Sequence, residues 1–249
     1  MVERSRAAMG VTVTNAMTQA CAGCAVRHAG LCSALSSDEI ADLTAIARRK
    51  HLSPGQSLVL EGDTAREFAN ITDGVAKLVR GAEDGRSQIV GLLFQSDFIG
   101  AAPGTGQAQT EPHSIVAVTE LELCLFPRQR FDTLLHRYPT LENKLLQQTL
   151  DELQLARDWM VLLGRKTAEE RVATFLLHVA QKMRNSGCGP LDTFDLPLGR
   201  ADIADYIGLT IETVSRQISK LRKAGIIALD GAKSVTYVDY EGLKERAGF

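Results

Sequence analysis

No stretch of the chain approaches the roughly 18 consecutive apolar residues of a membrane-spanning helix. The first twenty residues, MVERSRAAMGVTVTNAMTQA, lack the apolar centre of a secretory leader. Walker-type and GxGxxG phosphate loops, HExxH and the GxSxG elbow are all absent, which removes the usual sequence marks of NTPases, dinucleotide enzymes, zinc proteases and serine hydrolases. Charge of either sign is scarce as a net quantity, −2 from 28 Lys/Arg and 30 Asp/Glu. The total therefore gives no sign of a nucleic-acid partner, although that interaction depends on local patches rather than on totals. Cysteines number only five in 249 residues. With no leader the expected location is the cytoplasm, where thiols stay reduced.

Those few cysteines are unevenly placed. Three fall within CAGCAVRHAGLC as Cys21, Cys24 and Cys32, a C-x2-C-x7-C spacing, and a fourth, Cys124, lies far along the chain in LELCLF. Clustered cysteines in a reducing compartment point to metal or redox chemistry rather than to structural disulfides. In TELELCLFP, Leu121, Leu123 and Leu125 alternate with Glu120, Glu122 and Cys124. On a strand this turns Cys124 away from the apolar face and toward whatever covers the other side. Four thiolates suit an iron–sulfur cluster or a zinc ion, and spacing alone does not separate the two. Gly23 and Gly30 are read as giving the loop backbone freedom. Cys188, in NSGCGP, is read as a linker residue without a role.

The texture of the chain changes along its length. Residues 1–18 are unpatterned and read as a flexible tail, followed by a cysteine loop over 19–36. Ser36 with Glu39 forms a capping box and Leu35 with Ile40 a hydrophobic staple, which predicts a helix from there to about Lys50. Between about 51 and 128, short apolar runs alternate with turn signals at Gly55, Gly62, Gly74, Gly85 and Gly100. Such regularly spaced strands predict a small sandwich or barrel. A helical stretch follows in which Leu146, Thr149, Leu153, Ala156, Met160 and Leu163 recur at 3,4,3,4,3 spacing, the seam of a dimerising coiled coil. Thr167 and Glu170 form a second capping box.

The last third carries 13 Lys/Arg against 11 Asp/Glu over residues 165–249. In it, ADIADYIGL is a short amphipathic helix closed by Gly208, and Thr210 is a good N-cap for a second helix. Two helices joined by a tight glycine turn make a helix-turn-helix. At 100° per residue, Ile211, Val214, Ile218 and Leu221 fall on the packing side; Glu212, Ser215, Arg216, Ser219 and Lys223 fall on the other. Arginine on guanine, glutamate on cytosine and serine on bases or phosphates is major-groove chemistry. The apolar IIALDGAKSVTYV that follows predicts a hairpin wing.

IADYIGLTIETVSRQISKLRKAGII, with its Glu–x–x–Ser–Arg signature at Glu212, Ser215 and Arg216, resembles the recognition motif of the CRP/FNR family of bacterial transcription regulators. GRKTAEERVATFLL and GLLFQSDFIG resemble it too, and the likeness runs from about residue 20 to 249. It implies an α+β fold: a cupin-like β-barrel sensor domain of the cyclic-nucleotide-binding type over 37–140, a dimerisation helix over 141–166 and a winged helix-turn-helix over 167–249. The cysteines point to the FNR branch, and there the resemblance implies a [4Fe–4S] cluster on Cys21, Cys24, Cys32 and Cys124. The second gap is seven residues where the best-known members have five.

The same resemblance implies a homodimer that responds to oxygen and binds palindromes of the TTGAT-N4-ATCAA type in double-stranded DNA. Arg216 would read the guanine, Glu212 its paired cytosine and Ser215 a neighbouring thymine, with Thr210 and Ser219 beside them. It further implies a contact with RNA polymerase at the tip GAEDGRSQ, through Glu83, Asp84 and Arg86. Cyclic nucleotide is not expected. Relatives that bind it carry a Gly-Glu-Leu segment and an Arg-Ser/Thr pair, and here those regions read IGAAPG and EPHSIV. A zinc or thiol-redox site in place of the cluster, or an electron carrier, are the alternatives. An electron carrier leaves the helix-turn-helix without a role.

Overall fold

The computed structural model describes residues 21, 23–81, 85–100, 110–185, 193–231 and 234–248. Two short 3-10 turns, Ala25–His28 and Leu31–Ala34, lead into helix α1, Ser37–Ile46. The capping box is present as read: Glu39 N–H donates to Ser36 Oγ and Ser36 N–H to the Glu39 carboxylate. The helix stops at Ile46, short of Lys50, because Arg48–Leu52 forms strand β1 and pairs antiparallel with a strand 70 residues on. A non-local ladder overrides the helical pattern there.

Two four-stranded antiparallel sheets follow from the alternating segment. With β2 at Ser57–Val59, β3 at Glu67–Asp73, β4 at Ala76–Gly81, β5 at Ser87–Leu93, β6 at Phe98–Ile99, β7 at Ser114–Ala117 and β8 at Leu121–Pro127, the sheets run β1-β8-β3-β6 and β2-β7-β4-β5. Leu52, Ile71, Ile115, Leu121, Leu123 and Leu125 fill the space between them. Side chains alternate across a strand, so Cys124 and Phe126 fall on the outer face of β8 with Phe68 of β3. At the β3–β4 turn Gly74 takes φ +89°, and a Cβ there would lie 2.1 Å from the Glu120 carbonyl oxygen, so only glycine fits.

Helix α2, Arg128–Arg137, drops Phe131 onto Phe68 and Phe126, with ring centroids 4.8 and 5.4 Å apart. Helix α3, Pro139–Arg165, begins with proline in its first turn. Its Leu141 and Leu145 pack with Phe131 and with Leu31 and Leu35 of the cysteine loop. At its far end Trp159 and Leu162 join a core that runs continuously from β5 of the sandwich into the C-terminal helices.

The C-terminal region comprises α4 at Ala168–Asn185, β9 at Thr193–Asp195, α5 at Arg200–Ile207, α6 at Ile211–Lys223, β10 at Ile227–Asp230, β11 at Ser234–Tyr237 and α7 at Tyr240–Ala247. The wing is present, and β9, from what reads as linker in the sequence, completes it in the order β10-β11-β9. Gly208 takes φ +64° to close the α5–α6 turn. Arg171 of α4 holds this corner. Its guanidinium donates to the carbonyls of Leu163, Lys166, Ile207 and Gly208 at 2.7, 2.9, 3.2 and 3.2 Å. Among the described residues no helix is long and apolar enough to cross a membrane.

Candidate functional site: a four-thiol pocket and an exposed reading helix

Cys21, Cys24, Cys32 and Cys124 line one pocket on the outer face of β8. The first three come from the loop and its 3-10 turns, held down by Val26, Leu31 and Leu35, all buried. Cys124 comes from the sheet, where its register partners are Arg49 on β1 and Asn70 on β3. None of the four is in a disulfide.

The surroundings are electrostatically pointed. Burial, then the neighbouring charges of Cys24 and Cys21, pushes the Cys32 thiol up to about 11, with Arg27 acting in the opposite sense. Burial also pushes Cys124 up to about 12; the Arg49 charge opposes this, and the other three cysteines add to it. Cys32 and Cys124, disfavoured as thiolates first by burial and then by the neighbouring sulfurs, need a positive centre to ionise. Arg49 and Arg27 line the same pocket, and Arg49 is held by donating to Thr72 Oγ1 at 3.1 Å. Thr44 Oγ1 donates to the Ile40 carbonyl at 2.7 Å and lies 3.5 Å from Cys21 Sγ.

The donor set fits an iron–sulfur cluster in its chemistry. The pocket that the thiols line together with Val26, Ile40, Leu43 and Phe126 has a volume of about 20 Å³, enough for one water. Among the described residues no three His, Cys, Asp or Glu side chains close on a single-ion centre. The thiols share a wall without meeting at a point. Neither Gly23 nor Gly30 has positive φ. Gly30 matters for space instead, since a Cβ there would stand 3.1 Å from the Asn70 amide. The sequence did not mark Arg49, Thr72 or Asn70, because β1 reads as the end of a helix and cross-strand neighbours have no local signature.

The second site is α6. Thr210 caps it, accepting from Thr213 N–H at 3.2 Å. Val214, Ile218 and Leu221 are buried, while Glu212, Ser215 and Arg216 are exposed and Ser219 half-exposed. Ile211 departs from the expected packing side. It is the first residue of the helix and is 47% exposed. Arg216 donates to Thr213 Oγ1 at 3.1 Å, a preset that the sequence did not reveal, and Ser219 Oγ donates to the Ser215 carbonyl at 2.8 Å. Lys220 turns away to Glu169 on α4.

Along α3, Leu146, Leu153 and Met160 are exposed by 56, 45 and 73%, with Thr149 and Ala156 also exposed. Leu150 and Val161 add to this stripe. Leu163 differs: it is half-buried against the core at the Gly208 turn. Glu83, Asp84 and Cys188 lie outside the described residues, and Arg86 is exposed at the β4–β5 turn.

Comparison with known proteins fits both halves. Residues 49–138 match the cyclic nucleotide-binding domain family, and residues 170–246 the Crp-like helix-turn-helix domain family. The transcriptional activator protein FnrL of Cereibacter sphaeroides is 44% identical over 92% of this chain and 92% of its own length. The chain belongs to the CRP/FNR family of transcription regulators. The fumarate and nitrate reduction regulatory protein of Escherichia coli is 30% identical, covering 92% of this chain and 90% of that one. Among solved structures, FixK2 of Bradyrhizobium japonicum superimposes with a TM-score of 0.73 at 30% identity, over 80% of this chain and 96% of that one. As a CRP/FNR regulator the chain is a DNA-binding protein and not an enzyme.

Proposed function

We propose that this regulator senses oxygen through a [4Fe–4S] cluster held by Cys21, Cys24, Cys32 and Cys124, and acts in the cytoplasm as a homodimer on palindromic operators. The observation that carries the reading is the convergence of three loop thiols and one sheet thiol on a single pocket beside the root of α3. When bound, the cluster supplies an air-sensitive link between loop and sheet. Everything else is done by the chain. Arg27 and Arg49 offset the thiolate charge. The turn Leu31–Ala34 packs on α3, so a change in the loop reaches the helix that carries the exposed apolar stripe. Pairing along that stripe sets two α6 helices about 34 Å apart, one turn of DNA. Arg216, Glu212 and Ser215 then read TTGAT-type half-sites, guanine taking the arginine fork. The name of FnrL, a transcriptional activator, supports an activating role, and contact with RNA polymerase is part of the proposal.

The test is purification without oxygen, followed by visible spectroscopy, iron and sulfide assay, sedimentation and operator binding, before and after air. The expected result is about four iron atoms per chain and a brown absorbance that bleaches as dimer and DNA affinity fall together. A colourless, zinc-loaded, air-insensitive protein overturns the cluster. Loaded and stripped forms that dimerise equally overturn the coupling.

A further inference from the structure

Asn70 of β3 is only 1% exposed and lines the thiol pocket beside its register partner Cys124. A polar side chain at that depth needs partners. On one side the cysteine loop presses on its amide: a Cβ on Gly30, between Cys24 and Cys32, would lie 3.1 Å away. On the other side stand two backbone carbonyls of the β5–β6 turn, Ser96 and Asp97. The amide turns its nitrogen to them and donates at 3.3 and 3.1 Å.

That turn has uncommon backbone. Ser96 is the only non-glycine residue with positive φ among the described residues, at +76°. A serine keeps this conformation where its surroundings fix it. Here Ser96 N–H donates to the Ile71 carbonyl at 2.9 Å, Ile71 N–H to the Asp97 carbonyl at 3.0 Å, and Phe94 N–H to the Asp97 carboxylate at 2.9 Å.

The Ser96 carbonyl also has a second donor, Gln148 Nε2 of α3, at 3.3 Å. The Oε1 of the same amide is buried without a partner among the described residues, so the bond to Ser96 is what orients the Gln148 side chain. Gln148 is half-buried, off the exposed stripe of α3. Asp97 in turn takes the Lys182 ammonium of α4 at 2.9 Å. One turn thus meets the thiol pocket at Asn70, the long helix at Gln148 and the C-terminal region at Lys182.

We propose that Asn70 is a positioning residue that passes the state of the thiol pocket to α3, through the Ser96 carbonyl that it shares with Gln148. The proposal rests on the reading of the four thiols as a cluster site that governs DNA binding. A change in what the thiols hold shifts the loop backbone at Gly30. The amide, set between loop and turn, follows it or gives up its bond to Ser96. Either way the carbonyl that orients Gln148 is disturbed. Asn70 binds nothing itself, so the chemistry at the sulfurs does not depend on it.

The test uses the full-length protein, loaded with its cluster without oxygen or stripped of it, and a duplex of the TTGAT-N4-ATCAA type. Wild type, Asn70→Ala, Gln148→Leu and the double variant are compared. Gln148→Leu removes a buried acceptor that has no partner, and is expected to fold as well as the wild type. Iron content and visible spectrum are expected to stay at wild-type values in both single variants. The readout is the ratio of operator affinity, loaded over stripped, by fluorescence anisotropy, with thermal unfolding to verify the fold. That ratio is expected to fall about fivefold or more in either single variant, and no further in the double variant, because both break the same relay. A loss of stability alone leaves the ratio unchanged. If Asn70→Ala fails to fold or loses iron, Gln148→Leu decides alone. A wild-type ratio near one, or a wild type without iron, sinks the cluster reading and this proposal with it. A large wild-type ratio that the variants keep, or losses that add in the double variant, overturns the relay and leaves the cluster reading standing.

Discussion

Lys77 of β4 and Asp202 of α5 form an ion pair at 2.7 Å that joins the sandwich to the first helix of the helix-turn-helix. It does not act alone. Ile89 N–H of β5 donates to the Asp205 carboxylate at 3.1 Å, and Lys182 of α4 reaches Asp97 at 2.9 Å. All three contacts cross from the sandwich to the C-terminal region. Lys77→Met and Asp202→Asn are each expected to lower stability by about 1 kcal/mol, with a coupling of similar size in the double variant, since the pair is only partly exposed. Urea unfolding of the four proteins measures it; additive single effects would show that the pair contributes nothing.

The stripe on α3 makes a sharper prediction. Leu153→Glu places a charge at the centre of an apolar patch and, by two-fold symmetry, does so twice. Losing two buried leucines costs roughly 3–6 kcal/mol of association, a rise in dimer Kd of more than about 100-fold. Because Leu153 is exposed within the chain, the stability of the monomer should change by less than about 0.5 kcal/mol. Sedimentation equilibrium and thermal unfolding separate the two effects.

Arg216→Ala should weaken operator binding by about 1–3 kcal/mol and relax selectivity at one base pair. Fluorescence anisotropy against all four bases at that position is the measurement. Uniform weakening on every sequence would assign Arg216 to phosphate instead.

Trp159, the only tryptophan, has its ring 5.3 Å from that of His178, and neither Trp159 Nε1 nor His178 Nε2 has a partner among the described residues. Burial, then the Lys182 charge, holds His178 down at about 4 against an ordinary 6.5. Between those values the unfolded chain takes up a proton that the folded one refuses. Stability from this group is present above pH 6.5 and is lost as pH falls toward 4, roughly 3 kcal/mol in all. His178→Leu should reduce the acid-induced loss by that amount, followed through Trp159 fluorescence in urea at pH 7.5 and 4.5. An unchanged difference would place the acid sensitivity elsewhere.

Local chemistry was legible and non-local chemistry was not. Both capping boxes, at Ser36 with Glu39 and at Thr167 with Glu170, appear as read, because a cap is written within four residues. The outward orientation of Cys124 follows from strand alternation alone. The buried side of α6 was legible at Val214, Ile218 and Leu221 and failed at Ile211, the first residue of the helix. The companions of the thiols, Arg49 and Asn70, are set by strand register between distant segments. Nothing near them in sequence announces that pairing.

Arg171 has a mechanical consequence. One guanidinium ties the last turn of the long helix to the bend before the reading helix, so there is no soft joint between them. In the proposed dimer, twisting one long helix against its mate would thereby be geared straight into the distance between two probes along the groove.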